Sequence, residues 1–462
     1  MPSPRISVPP TPGWDQLRTE LAVRPDFPAD VLREAEQVRP ALPDEDRTDV
    51  PFLTIDPPGS TDLDQAVALA RDGEGFRLLY AIADVAAFVV PGGAIDLEAH
   101  RRGETLYFPD GRSPLHPPVL SEGTASLLPD QTRPALVWDL RLDATGELTI
   151  THVSRALVRS RKRLDYDGVQ ASLLDGSAGE DLRLLLQIGE LRLALGLARG
   201  AVDLPTPEQE VQADGTLSYR AQLPSERWNA QISLLTGVAA AGLMLQGGVG
   251  LLRTLPRPPQ DAVDSLRRSA RAVGVAWPTG TSYGEVFSGL DPSDPASAAL
   301  LTLVTRLLRG AGYTAFDGAP PEQAQHSAVA AAYAHCTAPL RRLADRYVGE
   351  VCLALCAGVE VPAWARAALP TLPQEMAAAD ARVHTLDRAV VDMAEALELQ
   401  GRIGQVFTGV VTDAGPKGGT VQLTDPAVRA KVEGADLPLG GSVDVVLLEA
   451  DPVLRRVRFR RP

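Results

Sequence analysis

Three aspartates lie within nine residues in the segment TIDPPGSTDLDQAV, positions 54–67. A Pro-Pro-Gly bend separates Asp56 from Asp62 and Asp64, and the latter two would share one face of an extended chain. Carboxylates this close repel one another, and an oxygen-preferring cation such as Mg²⁺ would relieve that repulsion. The spacing predicts a metal-binding loop whose remaining charge partner is phosphate. The alternative is a solvated turn in which the aspartates cap nearby backbone.

Two other acidic motifs with defined chemistry do not fit this segment. An EF-hand counted from Asp56 requires a glutamate at its twelfth position, where Val67 stands. A DxDxT phosphatase loop counted from Asp62 requires a threonine at the position of Ala66. Both an EF-hand and that phosphatase class are therefore excluded.

The composition is that of a globular chain with uneven charge. The 462 residues exceed one ordinary domain, and a hydrophobic fraction of 45% is sufficient for a sizeable core. The formal net charge of −14 ordinarily counts against a nucleic-acid partner. Residues 401–462, however, contain nine Lys/Arg and seven Asp/Glu, a local charge of +2. We therefore expect two or three domains that differ in charge.

The sequence predicts no leader, membrane anchor or disulfide framework. Apolar runs fall short of the ~20 residues that a membrane span needs, and no basic region precedes an apolar stretch at the start. The cysteines, Cys336, Cys352 and Cys356, are too few for a disulfide framework. We expect a cytoplasmic protein with no membrane partner and no disulfide-linked partner. Cys352 and Cys356, one helical turn apart, are expected to pack in the core and not to bind zinc.

Residues 1–48 predict a small helical module. Helical patterns cover 14–23 and 28–42, and Pro28 with Asp30 marks a helix start. Two short helices fit a helix-turn-helix, and they fit equally a helical clasp that packs on the next domain. The sequence leaves these alternatives open.

The rest of the chain predicts an α+β domain over residues 49–400 and a barrel over 401–462. Short runs bounded by Gly, Pro and Asp make residues 50–150 β-rich. Five strand-like runs after Gly401 fit a small OB-type barrel, a fold that often binds single-stranded nucleic acid. Helical periodicity predicts helices between these regions at 181–198, 228–245, 262–274, 296–310, 340–358 and much of 363–400.

Five ordered blocks resemble the ribonuclease II / ribonuclease R (RNB) exoribonuclease family. TIDPPGSTDLDQAV resembles the family's TID motif with its acidic D-x-D-D-A stretch. AYAHCTAPLRRLADR (332–346) is similar to its Y-x-H-x-T-x-P-x-R-R-x-x-D signature. Between them, in the family's order, lie LLYAIADVAAFVV (78–90), IDLEAHRRGETLYFPD (95–110) and LSEGTASLLPDQTRPAL (120–136). The resemblance covers roughly residues 50–400, and a barrel follows, as in the family.

The resemblance implies a fold and an activity. The fold is an RNB-like α+β catalytic domain followed by an S1-like OB barrel. The activity is hydrolytic 3′→5′ removal of nucleotides from single-stranded RNA by a monomer, with Mg²⁺ as cofactor and 5′-monophosphates as products. Metal ions between carboxylates and a scissile phosphate suit such hydrolysis.

The resemblance also assigns roles within the first block. Asp56 and Asp62 correspond to metal ligands, and Asp64 is the carboxylate most directly tied to the attacking water. The family ends this motif with two consecutive aspartates, whereas here Asp64 is followed by Gln65. Glutamine keeps an oxygen ligand and loses a charge. We therefore expect Gln65 as a further ligand and an altered metal affinity.

Other positions matching the family would hold the RNA. Arg341 would neutralise charge that builds on the phosphate, because its planar fork grips two phosphate oxygens. Arg342 and Thr337 of the same block are assigned to substrate binding. Tyr107 would stack on the 3′-terminal base, a contact that tolerates any base. His335 is expected to be a hydrogen-bonded structural histidine and not a base.

The chain departs from the family in two further ways, and two rival hypotheses stay open. The family commonly carries two cold-shock barrels before the catalytic domain, and 48 residues are too few for even one. In a loose alignment, Gln231 replaces a family glutamate. The first rival is a non-enzymatic RNA-binding relative that has lost catalysis at Gln65. The second is a DNA nuclease, which would cleave matched RNA and DNA equally.

Overall fold

Two closed five-stranded barrels organise the chain, for which a computed structural model describes residues 14–211, 217–305 and 307–462. One barrel lies early in the α+β region, and the other forms the C-terminus. Helices and short sheets lie between them in sequence. The predicted α+β class with a C-terminal OB barrel is confirmed.

The first barrel places the aspartates in the connection between two of its strands. Strands β1 (Phe52–Ile55) and β7 (Leu148–Leu164) are parallel in this barrel, and the remaining strand pairs are antiparallel. Its residues Leu78, Tyr80 and Trp138 are buried in the main hydrophobic cluster together with residues of the neighbouring helices. The strands, in hydrogen-bonded order, are β1 (Phe52–Ile55), β2 (Gln65–Asp72), β3 (Gly75–Ala83), β6 (Thr132–Leu142) and β7 (Leu148–Leu164).

A short hairpin carries the TLYFPD segment. Its strands are β4 (Leu106–Phe108) and β5 (Gly111–Ser113). Tyr107 pairs directly with Arg112, and directly opposite residues on an antiparallel pair share a face. Leu106 and Phe108 are buried on the other face. The hairpin therefore presents Tyr107 and Arg112 together.

The two N-terminal helices pack on different parts of the chain. α1 (Trp14–Glu20) buries Trp14 in a cluster with the C-terminal barrel. α2 (Ala29–Gln37) buries Val31 in a separate cluster beside the first barrel. The helices of a helix-turn-helix share a common core. The arrangement of residues 14–48 therefore matches the clasp alternative.

Helix α1 also ties the hairpin to the C-terminal barrel. The guanidinium of Arg18 lies 4.4 Å from the ring centroid of Phe108 and donates hydrogen bonds to Asp110. Glu20 pairs with Arg455 of the barrel at 2.7 Å. The clasp thus contacts the hairpin that carries Tyr107.

Most of the predicted helices of the middle region lie near their predicted positions. The helix predicted for 296–310 extends to Thr305, and position 306 lies outside the described residues. The predicted helix 340–358 begins later, at Leu343. Leu340 and Arg341, which precede it, are held by hydrogen bonds to Asp64. The predicted helix 363–400 is divided into two helices, Ala363–Ala368 and Leu372–Leu399, with Pro370 between them. Proline lacks the N–H that a continuous helix needs at that position. The observed helices are α3 (Ala94–Arg102), α4 (Tyr166–Asp175), α5 (Glu180–Arg199), α6 (Pro224–Gly247), α7 (Gln260–Ala272), α8 (Tyr283–Ser288), α9 (Pro295–Thr305), α10 (Leu343–Ala357), α11 (Ala363–Ala368) and α12 (Leu372–Leu399).

Short irregular and paired segments connect these helices. The apolar run at residues 76–90 is not one strand. Its first part belongs to β3, and the chain then turns at Asp84 into a 3₁₀ helix, Val85–Ala87. A π-helical turn covers Leu120–Thr124. Three two-stranded sheets pair β8 (Glu208–Val211) with β9 (Leu217–Arg220), β10 (Val249–Thr254) with β11 (Gly312–Asp317), and β12 (Gln325–His326) with β13 (Ala331–Ala332).

Helix α6 is long and apolar enough to cross a membrane by length and composition, with a mean hydropathy of 1.3. This differs from the expectation that no such stretch occurs. Its residues Trp228, Ile232 and Met244 are buried in the main hydrophobic cluster. The core helix of a globular domain meets the same two criteria.

The C-terminal barrel has the five strands that the sequence predicts. In strand β18, buried Val457 and Phe459 alternate with exposed arginines, as in a barrel strand with one solvated face. In the preceding domain Cys352 is buried in the core, as expected, and Cys356 is partly buried against it. Cys336 is also buried there, and all three cysteines are free. The barrel strands, in hydrogen-bonded order, are β14 (Val406–Gly415), β15 (Gly418–Leu423), β16 (Arg429–Glu433), β18 (Arg456–Arg460) and β17 (Ser442–Asp451).

Candidate active site

Residues 56–64, here the aspartate loop, connect β1 to β2 through a tight bend. The Ser60 N–H and hydroxyl both donate to the Pro57 carbonyl, at 3.2 and 2.7 Å. Gly59 has a φ of +79°, a conformation that favours glycine. Asp56 directly precedes the bend, at the end of β1. The Pro-Pro-Gly bend is therefore a structured turn.

Asp62 is held by the hairpin. The Arg112 guanidinium donates to Asp62 Oδ1 at 2.7 Å, and the Tyr107 hydroxyl donates to Asp62 Oδ2 at 3.1 Å. The Asp62 side chain is only 8% exposed. Burial and the Asp62 charge raise the pKa of Tyr107, so its hydroxyl stays protonated and donates. The hairpin thus brings the Tyr107 ring and the Arg112 guanidinium to the aspartate loop.

Asp64 joins the aspartate loop to residues 337–342, here the arginine loop. Its Oδ1 accepts the Leu340 N–H at 2.7 Å, and its Oδ2 accepts the Arg341 Nε–H at 3.0 Å. Asp64 is 2% exposed. Burial, reinforced by the charge of Asp62, raises its pKa to about 8 despite the opposing effect of Arg341. Further positive charge beside Asp64 would favour its ionised form.

Both amide atoms of Gln65 make hydrogen bonds. Its Nε2 donates to the Thr337 carbonyl at 2.6 Å, and its Oε1 accepts from the Tyr80 hydroxyl at 2.7 Å. The Tyr80 oxygen is also 2.8 Å from Ser233 Oγ on α6. The role of Gln65 as a metal ligand stays a prediction.

The two adjacent arginines differ in how they are held. Arg341 is bonded to Asp64 through Nε, and its side chain is 38% exposed, so part of the guanidinium is accessible to a ligand. Arg342 is clamped by two hydrogen bonds to Asp345, at 2.5 and 2.7 Å. Thr337 is 6% exposed. Of the three predicted RNA contacts in this loop, Arg341 is the most available, and the assignments stay predictions.

His335 is a partly buried, hydrogen-bonded histidine, and the hydrogen bonding is as expected. Its Nδ1 lies 2.6 Å from the Tyr313 hydroxyl. Burial holds its pKa well below the ordinary histidine value, so the ring is neutral.

Asp56, Asp62 and Asp64 together do not form a solvated turn. The Asp62 side chain and Asp64 are buried, and both carboxylates are paired with protein donors.

Three residues at this site were not predicted from the sequence. Arg112 holds Asp62, Tyr80 holds Gln65, and Asp345 holds Arg342. A hairpin prediction for TLYFPDGRS would have paired Arg112 with Tyr107. Asp345 lies three residues after Arg342, a spacing at which helical side chains pair, so the sequence did carry a local signal for it. Tyr80 lies 15 residues from Gln65 and carries no comparable signal.

The donor chemistry of the aspartate loop suits a hard divalent cation. The donors are carboxylate oxygens, and the buried Asp64 lacks sufficient compensating charge, as its raised pKa indicates. Within residues 14–211, 217–305 and 307–462, no group of three His, Cys, Asp or Glu side chains is arranged to hold a metal ion. Asp62 and Asp64 are instead occupied by protein donors. A cation would therefore have to share or replace those contacts.

Comparison with known domain families gives two matches. Residues 44–356 match the RNB domain, and residues 405–461 match the RNase II-type exonuclease C-terminal S1 domain. Ribonuclease R of Aquifex aeolicus is 27% identical over 438 residues, which cover 88% of this chain and 61% of the relative. The exosome complex exonuclease RRP44 homolog A of Arabidopsis thaliana is 30% identical over 316 residues, which cover 64% of this chain and 34% of the relative. The chain thus spans less than two thirds of either protein.

Solved structures share the fold at low sequence identity. The apo form of Mycoplasma genitalium RNase R has a TM-score of 0.86 and 20% identity, and covers 97% of this chain and 77% of its own. Yeast Ssd1, described as a pseudonuclease, has a TM-score of 0.75 and 17% identity, and covers 94% of this chain and 58% of its own. These likenesses establish the fold and leave the activity open.

Proposed function

The chain belongs to the RNB domain family, and on that premise we propose that it is a Mg²⁺-dependent 3′→5′ exoribonuclease that degrades single-stranded RNA to 5′-mononucleotides. The observation that supports this most strongly is the hydrogen bond from Arg341 to Asp64, two residues 277 positions apart. It joins a loop of carboxylates to a loop of arginines. Carboxylates suit a hydrolytic metal site, and an accessible arginine suits the phosphate that reacts there.

Within this proposal, the aspartate loop would hold the metal. Asp56, Asp62 and Asp64 supply the oxygen donors. A bound Mg²⁺ supplies activation of water and charge neutralisation at the phosphate. Asp64 holds the attacking water, and its burial excludes competing solvent. Both amide atoms of Gln65 are already used in hydrogen bonds to Thr337 and Tyr80.

The remaining residues would bind and orient the RNA end. Arg341 contacts the scissile phosphate through the part of its guanidinium that Asp64 leaves free. Tyr107 stacks on the 3′-terminal base while its hydroxyl stays on Asp62. Because stacking accepts any base, the same geometry serves each successive nucleotide. We also propose that the protein acts as a monomer in the cytoplasm.

A second candidate function is RNA binding without catalysis. Gln65 stands where the family sequence has a carboxylate, and the fold is shared with a protein described as a pseudonuclease. The two candidates are separated by incubating 5′-labelled RNA with the protein and Mg²⁺. Binding without release of mononucleotides supports the second, and progressive shortening supports the first.

Replacing Tyr107 by alanine is expected to lengthen the final product. Loss of one base stack, about 1–3 kcal/mol, falls mainly on short substrates, which have few other contacts. Tyr107→Phe is the matched control, because it keeps the ring and removes only the hydrogen bond to Asp62. Product ladders on a denaturing gel measure the effect. If Tyr107→Ala stops at the wild-type length, another aromatic residue holds the base.

Neutralising the exposed face of the C-terminal barrel is expected to weaken binding of long RNA more than short RNA. Lys431 and Arg460 are exposed on neighbouring strands β16 and β18. Each lost phosphate contact lowers the salt dependence of binding by about 0.7 in the log–log slope for a single strand. Fluorescence anisotropy of Lys431→Ala/Arg460→Ala against salt tests this.

Substitution is a cleaner test here than deletion of residues 401–462. The barrel shares a hydrophobic cluster with Trp14 of α1 and with Leu386 and Met393 of α12. Removing it would expose those side chains and confuse stability with RNA capture. An equal loss of affinity for long and short RNA would show that Lys431 and Arg460 do not act by extending the binding path.

A further inference from the structure

Gln65 spans the space between strand β2 and the arginine loop. Its side chain bonds to Thr337, at one end of that loop. Its neighbour Asp64 bonds to Leu340 and Arg341, near the other end. Two consecutive residues at the start of β2 therefore hold the loop at both ends.

The chemistry of the partners fixes the orientation of the Gln65 amide. A backbone carbonyl can only accept, so the atom that faces the Thr337 oxygen must be the NH₂ group. The Tyr80 hydroxyl then donates to the remaining oxygen, Oε1. A carboxylate at position 65 would place two acceptors against each other at the Thr337 contact. Glutamine is thus specifically suited to this bridge.

Both partners of the Gln65 side chain are buried, and Gln65 itself is partly buried. Tyr80 is 2% exposed and Thr337 is 6% exposed. A buried hydrogen bond is costly to leave unmade, so the Gln65 contacts hold the loop more firmly than a surface bond would. Tyr80 is itself braced by Ser233 of helix α6.

We propose that Gln65 is a positioning residue that fixes the arginine loop through its amide N–H, and that it does not act as a metal ligand. This rests on the proposed function, in which Arg341 contacts the phosphate. Gln65 ties the start of the loop to β2 by a contact that needs no cation. The placement of Arg341 is then built into the protein before metal or RNA binds.

Two variants of position 65 separate a positioning role from a ligand role. Gln65→Glu keeps the length and an oxygen, loses the donor and adds a charge. Gln65→Met keeps the approximate shape and loses both polar functions. Mg²⁺ affinity is measured by calorimetry without RNA, and turnover is measured at saturating RNA. Gln187→Met is the matched control, because Gln187 is also a partly buried glutamine and lies on helix α5.

The proposal predicts that both Gln65 variants lower turnover by roughly 10–100-fold, as loss of an orienting contact commonly does. Gln65→Met should bind Mg²⁺ with wild-type affinity, and the Gln187→Met control should match wild type throughout. A ligand role predicts the reverse: Gln65→Glu would bind Mg²⁺ more tightly with no loss of turnover, and Gln65→Met would bind it more weakly. That outcome would overturn the proposal.

Amide hydrogen exchange provides a readout that does not depend on catalysis. In metal-free protein, the Ala338 and Leu340 amides should exchange faster in Gln65→Met than in wild type. If wild type itself releases no nucleotides, the proposed function fails, and this exchange comparison still decides the role of Gln65. Unchanged exchange in a folded Gln65→Met variant would refute the positioning role.

A second, independent feature is the basic end of strand β7. Arg161, Lys162 and Arg163 are consecutive and all exposed, and they are here called the β7 strip. A regular strand sends alternate residues to opposite faces. Here Ser160 pairs with Phe52 and Lys162 pairs with the next residue of β1, which leaves Arg161 as an extra residue in a bulge. The bulge explains how Arg161 and Lys162 both reach solvent, and Arg163 then follows the regular alternation of the strand.

The β7 strip lies beside the aspartate loop. Arg163 donates from Nη1 to the Ser60 carbonyl at 2.9 Å, and the Asp56 N–H donates to the Leu164 carbonyl at 3.1 Å. The chain carries a net charge of −14, and the aspartates themselves repel a polyanion. A local positive strip offsets that repulsion and attracts phosphate. We infer that the β7 strip binds backbone phosphates of the RNA strand, an inference that rests on the proposed function.

The test compares Arg161→Ala/Lys162→Ala with Arg268→Ala/Arg271→Ala, which removes two exposed charges from helix α7. Binding of a single-stranded RNA is measured without Mg²⁺ over a range of salt. The β7 variant should bind more weakly, with a salt slope smaller by about 1.4, and the α7 variant should keep the wild-type slope. Equal slopes for all three proteins would overturn the inference. Failure of wild type to bind RNA would instead contradict the proposed function.

Discussion

The Asp64→Asn variant is expected to bind single-stranded RNA with nearly wild-type affinity and to hydrolyse it roughly 10²–10⁴-fold more slowly, the range for loss of a group that controls a reacting proton. The amide oxygen can still accept the Leu340 N–H, but the NH₂ group would face the donor Nε–H of Arg341. The charge that directs the water is lost at the same time. Affinity is largely retained because it comes mostly from phosphate and stacking contacts elsewhere.

Single-turnover hydrolysis and equilibrium binding, measured on the same RNA, test this separation. The control is Asp167→Asn, an exposed aspartate in the first turn of α4. It removes the same charge from an exposed side chain that belongs to neither loop. Turnover of Asp64→Asn close to the wild-type rate would place Asp64 outside the reaction.

The Arg341→Ala variant is expected to lose about 10²–10³-fold in turnover, the usual effect of removing one group that stabilises developing charge. Its melting temperature should fall less than that of Arg342→Ala, because the Arg341 side chain is 38% exposed, against 21% for Arg342, and Asp64 keeps the Leu340 N–H. Arg341→Lys should recover only part of the rate, since an ammonium cannot grip two phosphate oxygens at once.

The neighbouring residue provides the matched contrast. Arg342→Ala removes both guanidinium bonds from Asp345, which is 1% exposed. Breaking a buried ion pair from one side typically costs about 3–5 kcal/mol. We therefore expect Arg342→Ala to lower the melting temperature and Arg341→Ala to lower the rate. If the two variants showed the same pattern of stability and rate, the assignment of different roles to them would be wrong.

The domain order and much of the candidate site could be predicted from the sequence. Five short runs after Gly401 are sufficient to specify a small barrel, and they form one. Asp62 and Asp64 lie close together in sequence, so their proximity follows from local spacing. The meeting of Asp64 with Arg341 does not follow from any local pattern. It was expected only because both segments resemble blocks of one family.

What could not be predicted depends on contacts between distant segments. The helical pattern of residues 14–20 shows an apolar face, but not that Trp14 would pack against the C-terminal barrel. The type of residue 65 suggests an oxygen ligand, but its partners Tyr80 and Thr337 become visible only in the folded chain. Helix α6 is apolar because the core surrounds it, and composition alone does not distinguish this from a membrane span.

The central claim is that the chain removes nucleotides one at a time from the 3′ end of single-stranded RNA with Mg²⁺. The most direct measurement is digestion of a 5′-labelled RNA and a DNA of the same sequence, with and without Mg²⁺, with products resolved by size and by nucleotide analysis. We predict a ladder that shortens from the 3′ end, release of 5′-mononucleotides from RNA only, and no reaction without the cation. RNA that is bound but stays intact with Mg²⁺ would contradict the claim, as would internal fragments or equal cleavage of the DNA.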